Sequence, residues 1–213
     1  MAKATAKGAQ GPDEVVRAAL ALAARLGWRH VTLADIAAES KTGLAELYDR
    51  YRSKDAILAA FTRAINAQVL AGTEPPAEEE SVKDRLFDAL MRRFDALKPY
   101  REGLAAVLNA RAGGPVSMAC MGARMANAMA WTLESVGVSA DGVPGGLKAK
   151  GLLAVYATTL RVWLRDDTED MARTMAELDK RLGRAERLAN TVFRTRRPPP
   201  VGEPPPRPDA PPA

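Results

Sequence analysis

From residue 13 to residue 193, apolar side chains return at steps of three and four, and the interruptions fall at glycine and proline. That is the period of an α-helix viewed from one side, and no comparable stretch shows the two-residue alternation of a strand. Alanine and leucine dominate and β-branched runs are rare, which also favours helix. The expected fold class is all-α, about nine helices with no sheet. The 213 residues suffice for one large domain or two small ones.

Hydrophobic residues make up 47% of the chain and charged residues 27%, the balance of a soluble globular protein. No run approaches the roughly 18 uninterrupted apolar residues of a membrane span. Residues 1–10 are polar and slightly basic, so they read as a disordered N-terminus and not as a secretory signal. The single cysteine, Cys120, cannot form an internal disulfide, which suits a cytoplasmic protein, and it is expected to be a small buried residue. With one histidine, His30, beside that cysteine, a structural zinc site is excluded. No nucleophile–base pair, metal cluster or phosphate-cradling glycine loop is present, so neither an enzyme nor a cofactor is expected. The net charge of +5 permits nucleic-acid binding without demanding it.

Punctuation places the helices. The first spans 13–26 and closes at Gly27. Thr32 with Asp35 opens a short second helix, a break follows around 41–43, and a third runs over 44–51. Ser53 caps a fourth at 54–71. The stretch 72–80, rich in proline and glutamate, reads as a domain joint. Ser81 with Asp84 opens the next helix. Pro99 is expected at the first position of a helix over 100–111, and a methionine-rich helix at 116–136. A loop over 137–146 precedes helices at 147–165 and 169–193, the last capped by Asp167 or Thr168. From residue 195 the proline density leaves a disordered tail.

The segment VTLADIAAESKTGLAELYDRYRSKDAILAAF, residues 31–61, is the most informative. A capped short helix, a tight break, a second short helix ending in Leu47-Tyr48 and a Ser53-Lys54-Asp55 helix start follow at fixed spacing. It resembles the TetR family of transcriptional regulators at Thr32, Asp35, Ile36, Ala37, Leu47, Tyr48, Tyr51, Ser53, Lys54, Asp55 and Leu58. The resemblance covers about a third of the chain. It implies a three-helix DNA-binding head at 11–73, a larger helical ligand-binding and dimerisation domain at 74–194, and a tail at 195–213. The head would bind a palindromic double-stranded operator, the third helix entering the major groove. Thr32, Lys41, Thr42, Leu44, Ala45, Glu46, Tyr48, Arg50 and Lys54 would face DNA, with Tyr48 and Lys54 on backbone phosphate.

The residues depart from the family at several of these positions. Lys41 stands where the turn usually has glycine, and Gly43 where a serine cap is usual. Leu44, Ala45 and Glu46 replace polar, often basic residues. Glu46 and Asp49 repel phosphate, while Leu44 and Ala45 suit a thymine methyl.

In the second part, Met118, Met121, Met125 and Met129 form a helical stripe, with Trp131 following. Methionine adapts to varied apolar shapes, so the stripe, with Phe94 and Tyr156, is a candidate wall of a pocket for a small apolar ligand; ordinary core is the alternative. In TetR-like proteins the last two helices pair between subunits, which places Leu153, Leu160, Trp163, Met175, Leu178 and Leu182 at a homodimer interface. The order over 149–182 (apolar helix, tyrosine, Trp-Leu, acidic turn, amphipathic helix) also resembles the lipid-binding accessory proteins of ubiquinone biosynthesis, which share the TetR-like fold. The expected function is a ligand-controlled regulator, by family habit a repressor. The alternative is a lipid- or quinone-precursor-binding protein that has lost its operator.

Overall fold

The computed structural model describes residues 11–73, 80–111 and 115–194, with side chains outside 111–118 and 192–194. The N-terminal expectation at 1–10 and the tail at 195–213 lie outside that range. Among the described residues the structure is all-helical, as the periodicity implies.

The helices are α1 (Glu14–Leu26), α2 (Leu33–Glu39), α3 (Leu44–Arg50), α4 (Lys54–Ala71), α5 (Val82–Leu97), α6 (Arg101–Arg111), α7 (Pro115–Ser135), α8 (Gly142–Trp163) and α9 (Ala172–Arg194). Local chemistry explains the boundaries. The Asp13 carboxylate accepts from the Val16 N–H at 2.9 Å and opens α1. Gly27 closes it with φ 79°, a left-handed value that costs glycine little. Thr32 and Asp35 form a reciprocal capping box at α2. Ser53 and Ser81 cap α4 and α5 through the N–H groups of Ala56 and Asp84.

Three boundaries differ from the sequence expectation. Pro99 sits in a 3-10 turn, Lys98–Tyr100, and α6 starts only at Arg101. The loop expected at 137–146 is half helix: α8 begins at Gly142 after Asp141. Pro144 falls in its first turn, where a missing N–H removes no helical bond. The last helix starts at Ala172, where Thr168, one of the two expected caps, accepts from the Ala172 N–H at 3.0 Å through its hydroxyl. Asp166 adds to it: its carboxylate accepts from the Thr174 N–H at 2.8 Å, the Thr174 hydroxyl at 2.7 Å and the Thr168 hydroxyl at 2.6 Å. Met171, at φ 57°, makes the sharp entry.

Packing joins the elements. α1 lies across α6, α4 packs on α1, α5 and α7, α8 lies between α7 and α9, and α5 meets α9. One continuous core runs from Val15 through Ile36, Leu47, Ile57, Phe94 and Met129 to Leu182. It crosses the joint expected at 72–80 without a gap, since Val69 of α4 and Leu90 of α5 belong to it.

Candidate functional site

The head is α1 to α3 with the start of α4. Of α3 only Leu47 is buried; it is the peg that seats the helix. The other side chains face outward, with Leu44 58% and Tyr48 61% exposed. α3 is therefore a solvent-facing rod. Its direction is fixed at the C-terminal end by Asp13, which accepts from Arg50 Nη2 at 2.7 Å and from the Tyr51 hydroxyl. At the other end Lys41 makes the turn with φ 54°. The left-handed backbone is where a glycine would be least strained, and the lysine adopts it nonetheless.

The structure sorts the expected DNA-facing residues. Thr32, Lys41, Leu44, Ala45, Glu46 and Tyr48 are exposed, and Thr42 is half-buried. Thr32 is tied to its own cap; bonds from its backbone N–H and hydroxyl hold the Asp35 carboxyl below its usual range. Arg50 and Lys54 each have partners within the head. The Arg50 guanidinium turns back to Asp13 and stands 3.9 Å from Glu46. Lys54 Nζ donates to the carbonyls of Trp28 at 2.7 Å and Val31 at 2.6 Å, 4.6 Å from the Trp28 ring centroid. Both cations brace the head through these contacts. Sequence reasoning passed over Arg52, which is exposed with its guanidinium 5.7 Å from the Tyr48 ring centroid. Its position just after the Tyr48 helix was the signal.

A second feature lies below the head. A cavity of about 730 Å³ is walled by α4, α5, α6, α7 and α8. Met121, Met125 and Tyr156 line it as expected, beside Phe61, Ile65, Leu104 and Val107. Other members of the expected pocket do not. Met129 is fully buried in the core, and Phe94 stacks on Tyr156 and Trp163 at 5.6 and 5.7 Å behind the wall. Trp131 points away and is 57% exposed, because it falls on the opposite side of α7 from Met125 and Met129. The Met118 side chain lies outside the described residues. Cys120, expected buried, is exposed.

The interface expectation is also corrected in part. Trp163, Leu178 and Leu182 are buried within the single chain, since α5 and α9 close over them. Leu153 and Leu160 line the cavity, and Met175 is half-buried. Among the described residues, the large apolar side chains that α8 and α9 expose are Val143, Leu147 and Leu188.

The cavity also holds what the methionine stripe did not announce. Arg93, Arg124, Arg161 and Arg165 stand in its wall. Arg93 occupies a core position of the α5 stripe that runs through Leu86, Leu90 and Leu97, a signal readable in the sequence. Among the described residues no group of three or more His, Cys, Asp or Glu is placed to hold a metal, and no helix is long and apolar enough to cross a membrane.

Comparison with known proteins places this arrangement. Residues 15–61 match the family model described as bacterial regulatory proteins, tetR family, and residues 148–189 match the COQ9 family. No curated protein matches the chain. Among solved structures it resembles a TetR transcriptional regulator from Nitrosomonas europaea, with 23% identity, a TM-score of 0.68, and 82% of this chain and 97% of that chain covered. A TetR regulator from Rhodococcus sp. RHA1 aligns with 15% identity and a TM-score of 0.60, over 81% of this chain and 93% of that one. A TetR variant from Acinetobacter baumannii, solved in complex with minocycline, aligns with 23% identity and a TM-score of 0.51 over 82% and 95%. Residues 15–61 thus match the family model of the bacterial tetR-family regulators, in a chain with the TetR fold.

Proposed function

We propose that the protein is a cytoplasmic, homodimeric, non-enzymatic transcriptional repressor of one-component type, with a DNA-binding unit at 11–73 and a ligand-binding and dimerisation unit at 74–194. The observation that carries this reading is α3, held by Leu47 and Asp13 so that Leu44, Ala45 and Tyr48 project together. A rod so presented fits a major groove, with Lys41 and Arg52 at its ends for phosphate. Two copies joined through the outer faces of α8 and α9 would set two heads on one side of a duplex, about one helical turn (~34 Å) apart.

The cavity supplies the control. Its wall includes α4, which continues from the reading helix, and α6, which crosses α1. A small apolar ligand that fits one arrangement of these helices better than the other shifts the head spacing by its difference in affinity. The minocycline complex of the Acinetobacter baumannii structure is a precedent on the same fold. An electrophoretic shift with DNA flanking the gene tests the reading. A sequence-selective, salt-sensitive complex is expected; its absence at every protein concentration overturns it.

A second reading has its own observation. The COQ9 match covers most of α8 and most of α9, and Glu46 and Asp49 put acids on the reading helix. These favour a lipid- or quinone-precursor-binding protein on the same fold. Mass spectrometry of the natively purified protein separates the two: a stoichiometric apolar passenger together with no DNA shift selects this second reading.

A further inference from the structure

The cavity has a charge that its apolar lining conceals. Arg93 is 2% exposed, yet no carboxylate pairs with it among the described residues. Its Nη1 donates to Asn66 Oδ1 at 2.7 Å, and its Nη2 reaches Thr132 Oγ1 only at 3.5 Å. Its Nε has no hydrogen-bond partner. The Tyr156 ring also lies near, with the guanidinium 5.8 Å from its centroid. Burial pushes the Arg93 pKa down, but guanidinium is too basic to lose its proton at neutral pH. The chain therefore keeps a full positive charge in a low-dielectric wall with neutral partners only. Charges buried without a counter-ion are costly, and they persist where function requires them.

The rest of the lining has the same sign. Arg124, Arg161 and Arg165 also border the cavity, and among the described residues neither Asp nor Glu does. Arg161 and Arg165 are exposed and so stand at its opening, while Arg124 Nη1 donates to the Asp55 carbonyl at 3.2 Å. The remaining wall is largely aliphatic and aromatic, from Leu58, Phe61 and Ile65 to Leu153 and Leu160. A volume of about 730 Å³ lies within the roughly 300–1,000 Å³ of small-molecule sites.

We propose that the cavity binds an organic acid with an apolar body, an aliphatic or aromatic carboxylate whose charge compensates Arg93. This deepens, and rests on, the reading of the cavity as a ligand site. A neutral lipid of equal size would leave Arg93 uncompensated, and a cation would add repulsion from four arginines. A carboxylate supplies the missing counter-charge where water is excluded and the attraction is least screened.

The test is calorimetric titration of the full chain with dodecanoate, 1-dodecanol and dodecyltrimethylammonium, repeated on Arg93→Met. Methionine is a compact apolar replacement, and removing an uncompensated buried cation leaves the fold intact or firmer; thermal unfolding of the variant verifies this. Dodecanoate is expected to bind at least tenfold tighter than dodecanol, with the cation weakest, and Arg93→Met to abolish that preference while still binding dodecanol. Equal affinity for acid and alcohol overturns the proposal and leaves the apolar-ligand reading standing. An acid preference that survives in Arg93→Met also overturns it. Binding of none of the three overturns both, whereas the DNA shift is read separately.

Discussion

At the scale of single residues, Asp166 and Lys41 show opposite relations to the backbone. Burial alone would raise the Asp166 carboxyl, but the bonds from the Thr168 and Thr174 hydroxyls and N–H groups outweigh it and hold its pKa at about 2. A carboxyl lowered on folding stabilises the native state above its unfolded pKa, near 4, and that contribution is lost as pH falls towards 2. It amounts to about 2 kcal/mol. Asp166→Asn should therefore lower stability at pH 6 by about that amount, and the gap to wild type should shrink by more than half by pH 2.5 in chemical unfolding. Lys41 works the other way, since its φ of 54° is strained for a side chain. Lys41→Gly should stabilise the chain by about 1 kcal/mol, a rise in Tm of about 2–4 °C by calorimetry. The family's usual glycine at this turn made the strain legible in the sequence. Asp166 was not legible, because its bonds reach eight residues ahead to a helix whose start periodicity does not define.

At the scale of elements, the crossing of α1 and α6 joins the head to the cavity. A Cβ on Gly103 would lie 2.3 Å from the Leu20 carbonyl oxygen, so the two backbones touch. Arg29 adds to the contact by donating to the Ala110 carbonyl at 3.1 Å from Nη2. Gly103→Ala must push the helices apart and should cost about 1–3 kcal/mol, read as a lower Tm. An unchanged Tm would show that the crossing gives way freely. The capped helices α2, α4 and α5 were legible residue by residue because Thr32, Ser53 and Ser81 each sit before an apolar run. The start of α8 was not. Gly142, Pro144, Gly145 and Gly146 read as a loop, yet Gly145 packs against the Ala140 backbone, where a Cβ would fall 2.0 Å from its carbonyl carbon. Close packing, not propensity, decided that element.

At the scale of the whole molecule, one core links reading helix and cavity, so head and body are not independent. Leu47 belongs to the same cluster as Phe94 and Leu182. Periodicity showed which residues face inward, but not whether a neighbouring helix of the same chain or of a second copy covers them. That is why Trp163, Leu178 and Leu182 were expected at a subunit interface and lie inside the chain. Arg93 was missed for a related reason: charge drew attention to the head and apolar pattern to the body, and a cation in an apolar stripe belongs to neither. The whole molecule is arranged for α3 to read DNA. Fluorescence anisotropy with duplex from the flanking genomic region, at two salt concentrations, tests it most directly on wild type and on Ala45→Glu, an exposed position whose change leaves the Leu47 peg untouched. Wild type should bind a palindromic duplex selectively and lose affinity as salt rises, and the variant should lose at least tenfold. Equal, sequence-indifferent binding by both, or none, would contradict the claim.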